Sequence, residues 1–204
     1  MPRDTDARVR YIRIATNHFA ARGFDGVSLA LIAEDAGVSK QALLYFFKNK
    51  EGLYAEVLTD LTSRLLAVFE QVDADTPEQW LGDYFEGFTS RGIANPTDAW
   101  LVLRALLDSP THARTWPFRP YLDRLVAVAK QTERWADAPE DEVLAELYHH
   151  IGSVLSFTVS LTAFSGMYGE ERCASLIERY IPLVTGSARS RFSRDAEAET
   201  EAEA

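Results

Sequence analysis

The chain has 204 residues, of which 47% are hydrophobic and 25% are charged, and its formal net charge is −10. This composition is typical of a globular protein and excludes a disordered or collagen-like chain. The start is charged and no stretch reaches about 18 uninterrupted apolar residues, so we expect neither a signal peptide nor a membrane helix. A single cysteine, Cys173, excludes an internal disulfide. It suits a reducing compartment, and we expect a cytoplasmic protein.

The charge is unevenly distributed along the chain. Residues 1–50 hold eight Lys and Arg residues against five Asp and Glu residues, which gives +3, and the remaining residues carry −13. A positive segment attached to an acidic body predicts that only the N-terminal part faces phosphate. The acidic body argues against non-specific wrapping of nucleic acid.

Nearly every segment has the apolar period of a helix, and alternation typical of strands is scarce. The pattern predicts an all-α fold of about nine helices. The first four are expected at about 6–22, 28–36, 39–47 and 49–71. The fifth should begin at 76, the sixth should run from 95 to about 109, and the seventh should end near 135. The last two are expected at about 139–164 and 170–184.

The C-terminal end is expected to leave the helical body early. Pro182 should end or kink the last helix, because proline lacks the N–H that an interior position requires. Residues 189–204 lose periodicity and finish in DAEAETEAEA, which has five acids and no base. Such a biased segment predicts a disordered acidic tail.

The strongest motif lies within residues 23–53. Ser28 precedes one apolar-periodic run, Gly37 ends it, and Ser39 opens a second run that includes Leu43 and Phe47. A serine before each run is a favoured N-cap, because its hydroxyl accepts an unpaired N–H of the first turn. Two short helices joined by a glycine-bearing turn predict a helix-turn-helix, which places its second helix in the DNA major groove.

These residues resemble the N-terminal domain of the TetR family of bacterial transcriptional regulators. The matching residues are Gly23-Phe24, Ser28, Ile32-Ala33, Ala36-Gly37-Val38-Ser39, Leu43, Phe47, Lys50-Glu51 and Leu53. The resemblance implies a DNA-binding helix-turn-helix domain at 1–50 and a helical ligand-binding and dimerisation domain at 51–188, followed by the acidic tail at 189–204.

DNA contacts are expected from the motif. The lysine and glutamine of the second helix can reach base edges, an alanine methyl can touch thymine, a tyrosine hydroxyl can reach phosphate, and helix N-termini attract anions. The predicted residues are Ser28, Ser39, Lys40, Gln41, Ala42, Tyr45, Lys48 and Lys50. The chain departs from the family pattern at Gln41-Ala42, Leu44 and Phe46, so one or two of the family's phosphate donors are absent.

A stripe of small side chains predicts a helix-helix contact in the second domain. Gly152, Ser156 and Ser160 recur every four residues, which would let another helix approach closely. Pairing with the last helix, through Leu176, Ile177 and Tyr180, would form a two-fold four-helix bundle. Tight packing inside one subunit is the alternative.

Aromatic side chains between residues 80 and 164 are candidates for lining a small-molecule pocket, which needs apolar walls and a few polar groups. Most of these aromatics are expected to belong to the core, and for each polar candidate a satisfied core or surface role is favoured over ligand contact. The predicted ligand-binding residues are Tyr84, Phe88, Trp100, Arg104, Tyr121, His149, Ser153 and Phe157.

Enzyme classes lack their signatures in this sequence. There is no HExxH, no GxSxG, no phosphate-cradling glycine loop and no cysteine pair. Glu146 and His149 could share a metal on one helix face, but a di-iron bundle needs a second such pair. We therefore expect no enzyme activity, no metal and no cofactor.

The sequence thus predicts a homodimeric, sequence-specific regulator, a repressor that a small-molecule effector releases from its operator. Its expected partners are a pseudo-palindromic DNA duplex, a second copy of the chain and the effector, with no membrane. An activator or a ligand-independent regulator is an alternative. A small-molecule binding protein whose head no longer reads DNA is an alternative from a different class.

Overall fold

The computed structural model describes residues 2–107 and 117–193. Within these ranges the chain forms nine helices and no strand, which confirms the predicted all-α fold. The helices are α1 (Pro2–Arg22), α2 (Leu29–Asp35), α3 (Lys40–Phe47), α4 (Lys50–Phe69), α5 (Pro77–Ala94), α6 (Thr97–Leu107), α7 (Arg119–Ala129), α8 (Glu140–Tyr168) and α9 (Glu170–Phe192).

The described residues divide into two compact units. The first comprises Met1–Arg64 and Thr97–Phe118, and the second comprises Leu65–Pro96 and Arg119–Ala204. The first unit therefore contains α6 and much of α4 in addition to the three helices predicted at 1–50. No sequence pattern indicates this, because α6 follows α5 along the chain.

The core of the first unit is built from one face of each of its helices. Phe19, Ile32, Leu43, Leu53 and Leu101 come from α1, α2, α3, α4 and α6 in turn, and all are fully buried. The apolar period of each segment accounts for this convergence, because a surface helix stabilises a fold by burying its apolar stripe.

An arginine fork ties α4 to α6 within the first unit. The guanidinium of Arg64 donates to both carboxylate oxygens of Asp98, at 2.7 and 3.2 Å. It also pairs with Asp60 one turn earlier on α4. A bidentate arginine-carboxylate pair fixes orientation as well as distance, so α6 is held in register with α4.

In the second unit α5 packs against α8 and α9. Tyr84 and Phe85 of α5, Leu147 of α8 and Phe192 of α9 are fully buried. Thr76 caps α5 as predicted, since its Oγ1 accepts the N–H of Gln79 at 3.2 Å, and Pro77 stands at the first helical position.

Pro182 was predicted to end the last helix near Val184, and this prediction is wrong. α9 continues through Pro182 to Phe192, so residues 189–192 of the predicted tail are helical. Pro182 itself is exposed, whereas Val184, Ala188 and Phe192 beyond it are buried. Burial of this apolar stripe offsets the one hydrogen bond that proline removes. The rest of the predicted tail lies outside the described residues.

Two other predicted boundaries differ. α7 ends at Ala129 and not near Trp135, and Thr132 Oγ1 donates to the Ala129 carbonyl at 2.6 Å just beyond the helix end. Asn95 is the C-cap residue of α5, and α6 begins two residues later at Thr97. The predicted end of α6 near residue 109 lies outside the described residues.

By length and composition alone, α8 is apolar enough to cross a membrane. A single helix of this kind is weak evidence for a span, because the core helix of a soluble protein has the same properties. Val143, Leu147, His150 and Val154 of α8 are buried inside the second unit.

Candidate DNA-binding site

Both helices of the motif begin at serines whose side chains cap them. Ser28 Oγ accepts the backbone N–H of Leu31 at 3.2 Å, and Ser39 Oγ accepts that of Ala42 at 3.2 Å. Both serines are exposed and have the extended backbone of an N-cap. They act as caps in the protein itself, and phosphate contact by the same serines stays a prediction.

The turn between α2 and α3 depends on a glycine. Gly37 has φ +65°, a left-handed conformation that side chains disfavour, and no described atom lies within 4 Å of the position its Cβ would take. The N–H of Val38 closes the turn by donating to the Ala33 carbonyl at 2.9 Å. This arrangement ends a helix in the way usual for glycine and sets the direction in which α3 begins.

α3 has one buried face and one exposed face. Leu43 is fully buried and Phe47 is nearly so, and both pack into the core of the first unit. The exposed side chains are those of Lys40, Gln41, Tyr45 and Lys48, with Ala42 partly covered. Five of the eight residues predicted to reach DNA therefore lie on α3 or at its C-cap and have accessible side chains.

The start of α4 carries the remaining predicted contact. Asn49 Oδ1 accepts the N–H of Gly52 at 2.7 Å, so asparagine caps this helix. The Nζ of Lys50 lies 4.1 Å from the centroid of the Phe24 ring. This cation-π contact holds the charge of Lys50 beside the helix N-terminus, where a phosphate is also favoured.

Two polar contacts from α1 fix the helix-turn-helix, and the sequence did not point to them. Arg10 donates to the Ala36 carbonyl at the end of α2, at 2.9 Å. His18 Nε2 lies 3.0 Å from the Asp35 carboxylate on α2. No motif carries these contacts, because their partners are 26 and 17 residues away.

A third contact from α1 reaches both α3 and α4. Arg8 pairs with Glu56 at 2.5 Å, and its guanidinium carbon lies 5.4 Å from the centroid of the Phe47 ring. The only sequence feature related to this contact was the positive charge of residues 1–50, which was assigned to contact with phosphate.

Three of the predicted ligand-binding residues, Tyr84, Phe88 and Tyr121, lie together in the second unit. The hydroxyls of Tyr84 and Tyr121 are 2.5 Å apart and buried. Burial raises the pKa of both phenols well above the ordinary value. The Trp80, Tyr84 and Phe88 rings follow one another nearly parallel along α5. The cluster is apolar with one satisfied polar pair at its centre.

Trp100 and Arg104, also predicted to bind ligand, belong to the first unit. Arg104 donates to the Ala21 carbonyl at the end of α1, at 3.3 Å, and its guanidinium carbon lies 5.9 Å from the Trp100 ring centroid. The structure thus assigns these two residues to the packing of α6 on α1, apart from the other predicted ligand residues. Ligand contact by them stays a prediction.

The other three predicted ligand residues are on α8. His149 is exposed, while Phe157 is buried and stacks on Tyr180 with ring centroids 3.6 Å apart. The hydroxyl of the same tyrosine is 2.7 Å from Ser153 Oγ. Tyr180 was predicted to lie at the dimer interface, but it contacts Phe157 and Ser153, two residues predicted to bind ligand. These three side chains join α8 to α9.

The remaining predicted interface residues lie on α8 and α9. Gly152 is half-buried with no described atom within 4 Å of a Cβ position, Ser156 is exposed, and Leu176 is 38% exposed. Ser160 Oγ donates to the Phe157 carbonyl, and Ile177 is half-buried. Gly152, Ser156 and Leu176 are thus at least partly exposed, and a role for them in dimerisation stays a prediction.

His150, which the sequence offered as a polar residue that could orient a ligand, lies in a polar cluster on α8 and α9 whose contacts were not predicted. His150 Nδ1 is 3.1 Å from the Glu146 carbonyl and 3.4 Å from the Glu146 carboxylate, and its Nε2 is 3.4 Å from Ser187 Oγ. Glu146 therefore faces His150 and not His149, with which the sequence paired it. Burial lowers the pKa of His150, and the Glu146 carbonyl and carboxylate oppose that shift.

Comparison with known proteins gives matches to the N-terminal part of the chain. Residues 12–57 match the family described as bacterial regulatory proteins, tetR family. The HTH-type transcriptional regulator RutR of Escherichia coli K12 is 49% identical over 53 residues, which are 26% of this chain and 25% of RutR. The HTH-type transcriptional regulator YdgC of Bacillus subtilis, itself uncharacterised, is 31% identical over 67 residues, 33% of this chain and 34% of YdgC.

The chain therefore spans about a quarter to a third of the length of these relatives. A solved structure resembles much more of it. A TetR-family transcription regulator from Marinobacter aquaeolei VT8 has a TM-score of 0.70 and 17% identity, over 92% of this chain and 96% of that one. At this identity the likeness shows the fold alone.

The nine helices of the described ranges and the capped motif at α2 and α3 define a helix-turn-helix protein. The matches to residues 12–57 are more specific, because they fall on the helices that carry the motif. Residues 12–57 are therefore similar to bacterial regulatory proteins of the tetR family, and this similarity covers less than half of the chain.

Proposed function

We propose that this protein binds double-stranded DNA sequence-specifically through α3 and regulates transcription. The observation that carries the proposal is the open face of α3, where Lys40, Gln41, Tyr45 and Lys48 are exposed together beside a buried Leu43. Lysine and glutamine near the start of a recognition helix suit guanine and adenine edges. The positive charge of residues 1–50 supports phosphate contact.

We further propose that the regulator is a homodimer paired through α8 and α9. Gly152 on α8 and Gly186 on α9 stand inside helices with nothing within 4 Å of their Cβ positions. Glycine inside a helix costs about 1 kcal/mol relative to alanine, and close approach by a second copy would account for these two. Gly87 on α5 also has an open Cβ position, so the choice of α8 and α9 depends on the exposed apolar side chains that these two helices carry as well.

Exposed apolar side chains on the same two helices support this pairing. Tyr148 is 62% exposed, Leu183 is 66% exposed and Met167 is 64% exposed. A two-fold dimer would bury them and would present two copies of α3 to successive major-groove faces about 34–36 Å apart. The expected operator is therefore a pseudo-palindrome.

The regulator is proposed to be a repressor that a small-molecule effector releases from DNA. Support comes from the aromatic cluster of the second unit, where the Tyr84 and Tyr121 hydroxyls lie among apolar rings. Sites of this composition suit small molecules. The effector can act only through different affinities for the DNA-bound and free states. We expect such a protein to work in the cytoplasm and to lack enzyme activity.

The salt dependence of DNA binding tests this proposal. We expect the association constant for a duplex selected from a random pool to fall steeply with salt, because each phosphate contact adds about 0.9 to the logarithmic slope. Lys40→Ala should weaken binding and change the preferred sequence. Arg119→Ala is the matched control, since Arg119 lies in the second unit with a side chain that is 88% exposed.

A protein whose head no longer reads DNA would behave differently. It would select no duplex at low salt, and Lys40→Ala would be as neutral as the control. That result would contradict the proposed function and would leave ligand binding as the activity to pursue.

A further inference from the structure

We propose that the second turn of α3 recognises thymine by apolar contact, with the Tyr45 ring packed against the C5 methyl group in the major groove. This inference rests on the proposed DNA-reading function and names the base feature that this part of the helix reads. It differs from a phosphate contact by the Tyr45 hydroxyl, which is sequence-independent.

The position of Tyr45 supports the proposal. Gln41, Leu44 and Tyr45 share one face of α3, because residues three and four apart lie together on a helix. Tyr45 is 79% exposed and Leu44 is partly exposed. Within the described residues the Tyr45 hydroxyl makes no hydrogen bond, so no bond there holds it away from DNA.

Neighbouring rings fix the orientation of Tyr45. Its ring meets Phe46 edge-on, with centroids 5.3 Å apart and planes at 88°. Phe46 in turn meets Tyr11 of α1 at 5.4 Å and 68°, and Tyr11 is buried. The contact with Phe46 restricts the ring before DNA arrives, which lowers the entropy cost of binding. Phe46 is therefore a positioning residue.

The side chains of this turn favour recognition of a base by apolar contact. Leu44 and Phe46 carry no hydrogen-bonding group, so the Tyr45 hydroxyl is the only side-chain polar group between residues 44 and 47. The thymine methyl is the apolar feature that base edges present in the major groove. Leucine and tyrosine side by side on the open face offer a complementary surface for it.

Replacement of thymine by deoxyuridine tests the inference, because it removes the methyl group and leaves the hydrogen-bonding groups intact. Each thymine of a duplex selected from a random pool is replaced singly, and affinity is measured for the full chain. At one or two positions per half-site we expect affinity to fall about three- to fivefold, since burying one methyl-sized group corresponds to about fourfold in an equilibrium constant. Tyr45→Phe should keep this methyl effect and Tyr45→Ala should abolish it.

Phe46→Leu separates positioning from contact. It keeps an apolar side chain but removes the edge-on support, so the methyl effect should shrink while the salt slope stays unchanged. Thermal unfolding of each variant establishes that the head remains folded.

Three results would overturn the inference. These are a selected site without thymine, a methyl effect that survives Tyr45→Ala, or equal weakening by Tyr45→Phe and Tyr45→Ala, which would assign the hydroxyl to a phosphate. Failure to enrich any duplex would instead contradict the proposed function itself.

Discussion

Lys48, at the end of α3, has the positive φ angle that usually belongs to glycine. Its φ is +65° and its ψ is −50°, and the N–H of Asn49 donates to the Phe47 carbonyl at 2.7 Å across it. This is the rare, strained form of the γ-turn. A lysine there costs about 1 kcal/mol or more of stability, and its exposed side chain is available for the predicted contact with phosphate.

Replacement of Lys48 by glycine should therefore separate stability from binding. We expect Lys48→Gly to raise the free energy of unfolding by about 1 kcal/mol, because glycine adopts this backbone freely. DNA binding should weaken, and the logarithmic salt slope should fall by about one, because one lysine-phosphate interaction is removed. Denaturant unfolding and salt-dependent DNA titration measure the two effects.

Lys48→Ala is the control, since alanine removes the charge but keeps the strain. It should bind DNA as weakly as the glycine variant without gaining stability. Undiminished DNA affinity in both variants would contradict a phosphate contact at this position.

Because His150 is buried, we expect the free energy of unfolding to fall as the pH decreases. Burial lowers its pKa below the ordinary 6.5, so the folded protein holds the imidazole neutral. Below pH about 6.5 the unfolded chain binds a proton that the folded chain resists, and stability falls as the pH decreases. We expect the wild-type protein to lose more stability between pH 7 and 5 than His150→Gln, as measured by urea unfolding.

His149 provides the comparison for this prediction, because it is adjacent on α8 but exposed. His149→Gln should keep most of the pH dependence of the wild-type protein, because burial, the largest cause of the lowered pKa of His150, remains and only the smaller effect of the neighbouring His149 charge is lost. If His150→Gln lost stability on acidification as steeply as the wild type, burial of a neutral His150 would not be the cause.

At the scale of elements, the packing of α9 on α5 depends on a glycine. A Cβ at Gly82 would lie 2.4 Å from Cγ of Arg189, whose guanidinium pairs with Asp83. Gly82→Ala should destabilise the protein by about 1–3 kcal/mol, because overpacking forces the neighbouring side chain to move. Thermal or urea unfolding measures the change.

Gly87 on the same helix supplies a matched control. No described atom lies within 4 Å of its Cβ position, so Gly87→Ala should stabilise α5 by about 0.5–1 kcal/mol through helix propensity. Removing the obstructing side chain should also rescue the first variant: Arg189→Ala should reduce the cost of Gly82→Ala. Equal effects of alanine at both glycines would contradict the close approach.

The sequence predicted well those elements whose signals are local. Ser28, Ser39 and Thr76 cap helices where the pattern expected caps, because a cap depends only on the next three residues. The buried Leu43 and Phe47 likewise follow from helical period alone.

Features that depend on distant residues could not be predicted. The extension of α9 past Pro182 depends on burial of Phe192 against α8 and Trp135, and the sequence shows only the proline. The contacts of α6 within the first unit join residues that are distant in sequence: Arg64 and Asp98 are 34 residues apart, and Arg104 and Ala21 are 83 residues apart. Local propensity contains no information about such pairs.

The proposed regulator binds DNA as two copies of the chain acting together. Gly152→Leu should shift the monomer-dimer equilibrium towards monomer, because leucine fills the space that a partner helix needs. The monomer should stay folded, since leucine favours helix more than glycine does. Gly87→Leu on α5 is the control, and sedimentation equilibrium measures both. Unchanged association of Gly152→Leu would contradict pairing through α8.

Selection of bound duplexes from a random pool tests the central claim that α3 reads a DNA sequence. We expect an enriched pseudo-palindrome for the wild-type protein and an altered preference at defined positions for Lys40→Ala. Arg119→Ala should select the wild-type sequence. If the wild-type protein enriched no sequence at low salt, or if Lys40→Ala left the selected sequence unchanged, the claim that the exposed face of α3 reads DNA would be contradicted.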